Sequence, residues 1–237
     1  MTAQNRFSQL AQALTCAVLV SDALIAQTLP NADELLKGLE AALKQHTTMR
    51  YEEEETYETT FQAPVRIHHS EAVRLPDKWR EESTREGGSS FLKISDGETT
   101  WSYSQRSNQY WKEKAVHLPW ADALTFWGLR NMSAKGFTLA SQKILRSETI
   151  ELEGHNRDCW VVETEMTLPS PLPELVSTAW LDKETGIALQ SVDASGGNSV
   201  RVPFGKSTTR TAHLELDVPL PDSLFVFTPP PGAKQNE

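Results

Sequence analysis

The chain has little of three things: cysteine, positive charge and long apolar runs. Its 237 residues include two cysteines, and 23 lysines and arginines stand against 32 aspartates and glutamates, a formal net charge of −9. A chain without a basic surface is a poor partner for nucleic acid or for an anionic lipid surface. Outside the N-terminal segment, no apolar run approaches the ~18 residues that span a bilayer.

Catalytic motifs are also missing. The sequence contains no G-x-S-x-G, no H-E-x-x-H and no glycine-rich phosphate loop. His68 and His69 are neighbours on a predicted strand, so their side chains point to opposite faces and cannot chelate together. Cys159 has His155 nearby, but nothing there orients the imidazole. We therefore predict a protein that is not an enzyme, with no metal and no cofactor.

The N-terminus has the pattern of an export signal. An arginine precedes a mostly apolar stretch from Leu10 to Val20, and the small residues Ser21 and Ala23 suit a cleavage site. We predict a signal peptide over residues 1–26, cut near 23–26, and export to the periplasm. The alternative for this segment is a buried amphipathic helix.

The two cysteines lie in different contexts. Cys16 is inside the predicted signal, and the polar residues Ser8, Gln9 and Gln12 before it argue against a lipid anchor there. After cleavage Cys159 is alone, so no internal disulfide can form. It alternates with apolar residues in a predicted strand, which indicates a buried and unreactive thiol.

Hydrophobic periodicity predicts one long helix followed by strands. Leucines recur at helical spacing within 31–46, and Asn31 with Glu34 forms a capping pattern. From Thr48 the period becomes two. Met49, Tyr51 and Tyr57 share one face of this first strand, and we interpret the Glu52–Glu55 run as a solvated strand face rather than a metal site.

Turn signals divide the rest into strands and one short helix. Asp96-Gly97 predicts a tight hairpin, Pro119–Asn131 a second helix, and Thr167–Pro173 a loop. The chain is therefore predicted to be mainly β (α+β): an unclosed antiparallel β half-barrel of about ten strands, with helices covering the concave face. We find no interdomain linker, so residues 27–237 form a single domain.

Aromatic residues concentrate in this meander and in the second helix. A tryptophan-rich core is one explanation, and an aromatic wall around a guest is the other. The residues considered for such a wall are Trp79, Phe91, Trp101, Tyr103 and Trp127.

Three stretches resemble the LolA/LolB-like lipoprotein-carrier superfamily. They are Arg74–Trp79 (RLPDKW), Ser95–Tyr103 (SDGETTWSY) and Leu224–Gly232 (LFVFTPPPG). Their order and spacing, after an export signal and a helix, agree with the superfamily over essentially the whole of residues 27–237.

The resemblance implies both a fold and a function. The fold is an unclosed antiparallel β-barrel under a helical lid, enclosing an apolar cavity. The function is periplasmic carriage or binding of a lipidated protein or lipid in outer-membrane lipoprotein sorting. The partners are acyl chains and handover proteins at the inner and outer membranes. A lipid-sensing regulatory module of the same fold and a ligand-free interaction module remain alternatives.

The resemblance also assigns roles to individual residues. Arg74 matches the arginine that contacts the lid in the family. The aromatic residues implied for the cavity are Trp79, Phe91, Trp101, Tyr103 and Trp127.

Overall fold

The computed structural model describes residues 29, 31–59, 62–115, 138–167, 175–195 and 205–236. The predicted signal peptide, the second helix with Trp127, and most of the predicted loop lie outside the described residues. Within the described ranges, one α-helix precedes twelve strands. The helix is α1 (Ala32–Leu43), and the strands are β1 (Thr48–Glu58), β2 (Val65–Arg74), β3 (Lys78–Arg85), β4 (Ser90–Asp96), β5 (Thr99–Ser104), β6 (Gln109–Lys114), β7 (Thr138–Leu152), β8 (His155–Thr167), β9 (Leu175–Asp182), β10 (Ala188–Ser195), β11 (Gly205–Leu216) and β12 (Lys234–Gln235).

Helix α1 begins where the capping pattern predicts. The side-chain oxygen of Asn31 accepts a hydrogen bond from the Asp33 backbone N–H at 2.9 Å. Two acidic residues in the first turn complement the positive end of the helix dipole. The predicted helix is confirmed, and its apolar stripe lies on the sheet through Leu39 and Leu43.

The strands form one open sheet in the order β12-β6-β5-β4-β3-β2-β1-β11-β10-β9-β8-β7. The prediction of an unclosed antiparallel sheet is confirmed, but the count of about ten strands is wrong. One strand that periodicity could not predict is β12, which has two residues and pairs parallel to β6. Its pairing depends on where the distant end of the chain returns.

Each strand contributes alternate residues to the two faces of the sheet. We call one side the helix-bearing face, because Met49, Tyr51 and Val73 form a core cluster there with Leu43 of α1. The same helix contacts Val162, Ala179 and Leu181 through Leu39. That helices cover the whole concave face stays a prediction.

The opposite side is covered in part by the C-terminal segment, residues 217–236, and we call it the tail face. This segment leaves β11, makes a 3₁₀ turn at Asp222–Phe225 and reaches β12. Phe225 is 1% exposed and forms a cluster with Ala72 and Leu220. α1 thus lies on one face of the sheet near β1 and β2, and the C-terminal segment lies on the other face along β2, β5 and β6.

No helix in the described ranges has the length and apolar character needed to cross a membrane.

The close approach of α1 to the sheet is testable with a matched pair of glycines. Gly186 and Gly154 occupy turns with φ of +77° and +78°, so alanine is strained equally at both. A Cβ at Gly186 would lie 2.6 Å from the Leu39 carbonyl oxygen, whereas nothing lies within 4 Å at Gly154. We expect Gly154→Ala to cost about 1 kcal/mol and Gly186→Ala about 2 kcal/mol more.

Equilibrium denaturation of both variants measures this difference. Equal losses of unfolding free energy would contradict the contact between α1 and the β9–β10 turn.

Candidate functional site

The structure separates the aromatic residues that the sequence grouped together. Strand register places Trp79 opposite Val73, and Phe91 opposite Ser83, on the helix-bearing face. Trp101 and Tyr103 pair with Ile94 and Leu92 of β4, whose side chains belong to the tail face. That these residues line one ligand cavity stays a prediction, and they do not share one side of the sheet.

Trp101 and Tyr103 are covered by the protein's own chain. The Phe227 ring lies 6.3 Å from each of their ring centroids and 5.4 Å from that of Tyr110. Rings at such distances attract one another beyond the area they bury. Two of the stretches that resemble the superfamily, SDGETTWSY and FVFTPPPG, therefore meet in space as one aromatic cluster.

Arg74 holds the start of the C-terminal segment. Its guanidinium donates to the Leu220 carbonyl at 2.9 Å, forms an ion pair with Asp222, and stacks 4.9 Å from the Phe225 ring centroid. Arg74 also lowers the pKa of Asp222 by hydrogen bonding and charge. That Arg74 contacts a helical lid stays a prediction. The three partners of Arg74 named here all lie in the C-terminal segment.

The helix-bearing face carries an unexpected group of acidic residues, which we call the carboxylate patch. Cross-strand register places Glu71 opposite Tyr51 and Glu81 opposite Glu71 on this face. The pairing of β1 with β11, and of β11 with β10, places Asp193 on the same face. The members of the patch are Glu53, Glu55, Glu71, Glu81 and Asp193.

Glu53 lies deepest in this patch. It is 2% exposed, and its Oε2 atom has no hydrogen-bond partner among the described residues. Burial raises the pKa of Glu53 to about 8, and repulsion from Glu71 and Glu55 adds to that rise. The interpretation of the whole Glu52–Glu55 run as a solvated face is therefore wrong for Glu53.

Burial also raises the pKa of other patch members. The pKa of Glu71 rises to about 7, although a hydrogen bond with Tyr51 opposes the rise. The pKa of Asp193 is raised by burial, and the pKa of Tyr51 is raised well above its ordinary value. These shifts mean that Glu53 and, in part, Glu71 hold protons near neutral pH, because burial disfavours the charged form.

Glu55 differs from its neighbours because it has partners. His69 Nε2 lies 2.9 Å from Glu55 Oε2, and the Ser207 hydroxyl donates to Glu55 Oε1 at 2.6 Å. His69 Nδ1 lies 2.9 Å from the Ser83 hydroxyl oxygen. The hydrogen bond with His69 is the main reason that the pKa of Glu55 is lowered.

The order Ser83, His69, Glu55 is one that hydrolases use, but its setting differs from theirs. Ser83 is in a central strand, paired with both β2 and β4. Backbone N–H groups in such a strand serve the sheet ladder, so around Ser83 the described main chain offers no evident donors for an oxyanion. The network is best explained as hydrogen bonding among half-buried polar groups.

The sequence contains a signal for the patch that the prediction of a solvated face overlooked. Glu53 and Glu55 follow Met49 and Tyr51 at a spacing of two, so strict alternation places all four on one face. We predicted exposure for the whole Glu52–Glu55 run because of its negative charge, although alternation places Glu53 and Glu55 on the inner face. Glu71, Glu81 and Asp193 carried no signal, because only the pairing of strands brings them to the same region.

Cys159 is a buried free thiol, as predicted. Burial raises its pKa to about 12 and Asp182 contributes to the rise, so the thiolate is not populated near neutral pH. Among the described residues, no group of three or more histidine, cysteine, aspartate or glutamate side chains is placed to hold a metal ion.

No protein-family model and no curated protein matches the chain. Several solved structures are similar to it. An uncharacterised conserved protein from Thermus thermophilus is 11% identical at a TM-score of 0.48, over 86% of this chain and 98% of that one. A LolA superfamily protein from Nitrosomonas europaea is 12% identical at 0.36, over 84% and 99%.

A third solved structure is a protein domain from Vibrio parahaemolyticus named for outer membrane lipoprotein sorting. It is 12% identical at a TM-score of 0.37, over 82% of this chain and 97% of that one. Two of these three names agree with the superfamily that the sequence motifs resemble. Likeness at this level concerns the fold and says nothing about activity.

The role of Arg74 can be tested by stability. We expect Arg74→Met to lower the free energy of unfolding by about 1–2 kcal/mol, because it removes the stacking on Phe225 and the hydrogen bond to Leu220. Asp222→Asn should have a smaller effect, since Asp222 is exposed to solvent and screened. Urea denaturation measures both, and equal effects would contradict the greater weight of the stacking contact.

The buried carboxyl groups predict that stability falls as pH rises. Glu53 and Glu71 keep their protons to about pH 8 and about pH 7 in the folded chain, against an ordinary pKa of 4.5. Between pH 4.5 and these raised pKa values, the folded state binds more protons than the unfolded state, so raising the pH favours unfolding. We expect Glu53→Gln to remove about 2 kcal/mol of the loss between about pH 5 and about pH 8.

Glu54→Gln is the matched control, because Glu54 is the next residue of β1 and lies on the other face. Denaturation curves at a series of pH values give the slope for each variant. Parallel slopes for wild type and Glu53→Gln would contradict the burial of an ionisable group there.

Proposed function

We propose that the chain is a periplasmic binder and carrier of acylated ligands, lipid or lipidated protein, in outer-membrane lipoprotein sorting. The ligand lies on the helix-bearing face, against Trp79 and Phe91. The motifs RLPDKW, SDGETTWSY and FVFTPPPG support the proposal by their resemblance to the LolA/LolB-like superfamily.

The observation that carries the proposal is the presence of half-buried aromatic rings on the helix-bearing face of β3 and β4. On the tail face, Trp101 and Tyr103 lie beneath Phe227 of the C-terminal segment. On the helix-bearing face, Trp79 and Phe91 are only half-buried in the described chain. Half-buried aromatic rings on an open sheet offer apolar area to a guest.

The energetics of an acyl chain suit such a surface. Burying one methylene is worth ~0.8 kcal/mol, so a long acyl chain cannot cross an aqueous compartment bare. A carrier must offset part of that cost and still release its ligand. A sheet that is not closed, with β12 and β7 at its edges in the described chain, can adapt its width to different guests.

The proposal narrows the set of ligand-binding residues that the sequence suggested. Trp79 and Phe91 are assigned to the ligand, and Trp101 and Tyr103 are assigned to the packing of the C-terminal segment. A packed surface with no ligand, which is the interaction-module alternative, predicts instead that all four serve only stability.

The first experiment is to express the full chain, purify the exported protein without detergent, and look for co-purifying lipid by solvent extraction and mass spectrometry. A titration with a fluorescent fatty acid follows. We expect stoichiometric acylated ligand that the probe displaces, since each buried methylene favours the bound state. A protein with no lipid that also ignores the probe would overturn the carrier proposal.

Two variants decide which face holds the ligand. Phe91→Ala should lower the affinity for the probe by about tenfold, because it removes apolar contact worth about 1.4 kcal/mol or more. Trp101→Ala is the matched control on the tail face, expected to lower stability but leave the affinity of folded protein unchanged. A larger loss of affinity in Trp101→Ala would place the ligand on the tail face.

A further inference from the structure

The carboxylate patch is under-compensated in charge. On the helix-bearing face of the described strands, the register places three basic side chains with its five acidic ones: His69, Lys93 and Arg85. His69 is engaged by Glu55 and Ser83. Lys93 is opposite Glu81 in the register, with its Nζ 5.8 Å from the Phe91 ring centroid. A buried carboxyl group without a hydrogen-bond partner costs free energy, and proteins place few such groups without a reason.

Glu53 gives the second observation. It is only 2% exposed, and its Oε2 atom has no hydrogen-bond partner within the described residues. Alternation along β1 and its register with β2 place Glu53 on the same face as Glu55 and Glu71. Once ionised, a buried carboxylate oxygen without a partner is stabilised by a donor that carries positive charge.

The geometry excludes a simple metal site in the described chain, because no three of its carboxylate, imidazole or thiol groups are close enough to share an ion. A primary ammonium group has three N–H donors, which can bond to separate carboxyl groups.

The aromatic residues of the proposed ligand surface adjoin the patch. Trp79 precedes Glu81 by two residues on β3, and Phe91 precedes Lys93 by two on β4, so each pair lies on one face. Side chains two apart on a strand are about 7 Å from each other. An amphiphile of modest length can therefore contact an indole with its chain and a carboxyl group with its head.

We propose that the carboxylate patch binds the ammonium group of an amphiphilic amine whose apolar chain lies against Trp79, on the side of the Glu81–Lys93 pair that faces α1. This inference rests on the proposed function and specifies the chemistry of its ligand. The cation favours the ionised form of Glu53, so binding near neutral pH releases protons to the solvent. Glu71 and Asp193, whose pKa values burial also raises, share in that release. Tyr51, Glu55, Glu81, His69 and Lys93 also face the patch.

The test compares three probes with one chain and different heads: octylammonium, octanol and octanoate. Isothermal titration of the full chain near neutral pH gives each affinity. We expect octylammonium to bind at least tenfold more tightly than octanol, and octanoate to bind most weakly. Repeating the octylammonium titration in two buffers of different ionisation enthalpy measures proton release, which we expect to be above zero.

Three variants separate the patch from general electrostatics. Glu53→Gln and Glu71→Gln should each remove most of the preference for octylammonium over octanol while leaving octanol binding unchanged. Glu54→Gln, on the tail face of β1 where Glu54 pairs with His68, is the control outside the patch and should keep the preference. Thermal unfolding of every variant checks that it is folded before its affinity is compared.

The outcomes distinguish the two proposals. Equal affinity for octylammonium and octanol, with octanol bound, overturns the amine inference and leaves the acyl carrier in place. Octylammonium bound without any octanol binding overturns the acyl surface and retains the patch as a cation site. If no probe binds, and Glu53→Gln destabilises the chain, the carboxyl groups of the patch find their partners within the protein. The inference is then overturned.

Discussion

The contact between Phe227 and the rings of Trp101, Tyr103 and Tyr110 is the interaction on which the arrangement of the sheet depends. It joins the end of the chain to β5 and β6, and with Phe225 it fixes the C-terminal segment over the tail face. On the opposite face of β3 and β4, Trp79 and Phe91 are half-buried in the described chain. What contacts the tail face of β5 and β6 is therefore decided by a residue more than a hundred positions away in sequence.

The same arrangement explains why acidic residues collect where a core is expected. Apolar residues of β1 and β2 near α1 bury against Leu43, and this cluster is dense enough to hold the sheet together. Farther along the same strands, the residues that alternate inward are Glu53, Glu55 and Glu71. A face with an apolar end and an acidic end is amphipathic along its length, which suits a ligand with a chain and a positively charged head.

The acidic end has a cost that the apolar end must offset. Desolvated carboxyl groups hold their protons to near neutral pH, and each proton kept in the folded state reduces stability as pH rises. Natural proteins retain such strain mainly where it serves binding or chemistry. The acidic end of the face therefore lowers folding stability as pH rises, and in our proposal the same carboxyl groups bind the cation.

The sequence alone determined the local features of this protein. Periodicity predicted α1 and its cap, the alternation of β1, the Asp96-Gly97 hairpin and an open, mainly β architecture, because each depends on neighbours within a few residues. The buried state of Cys159 followed from its apolar strand in the same way. Only the tertiary structure decided the number of strands, the separation of Trp79 and Phe91 from Trp101 and Tyr103, and the carboxylate patch. These depend on which strands pair, in what register, and on where the C-terminal segment returns, and contacts so distant in sequence leave no periodic trace in it.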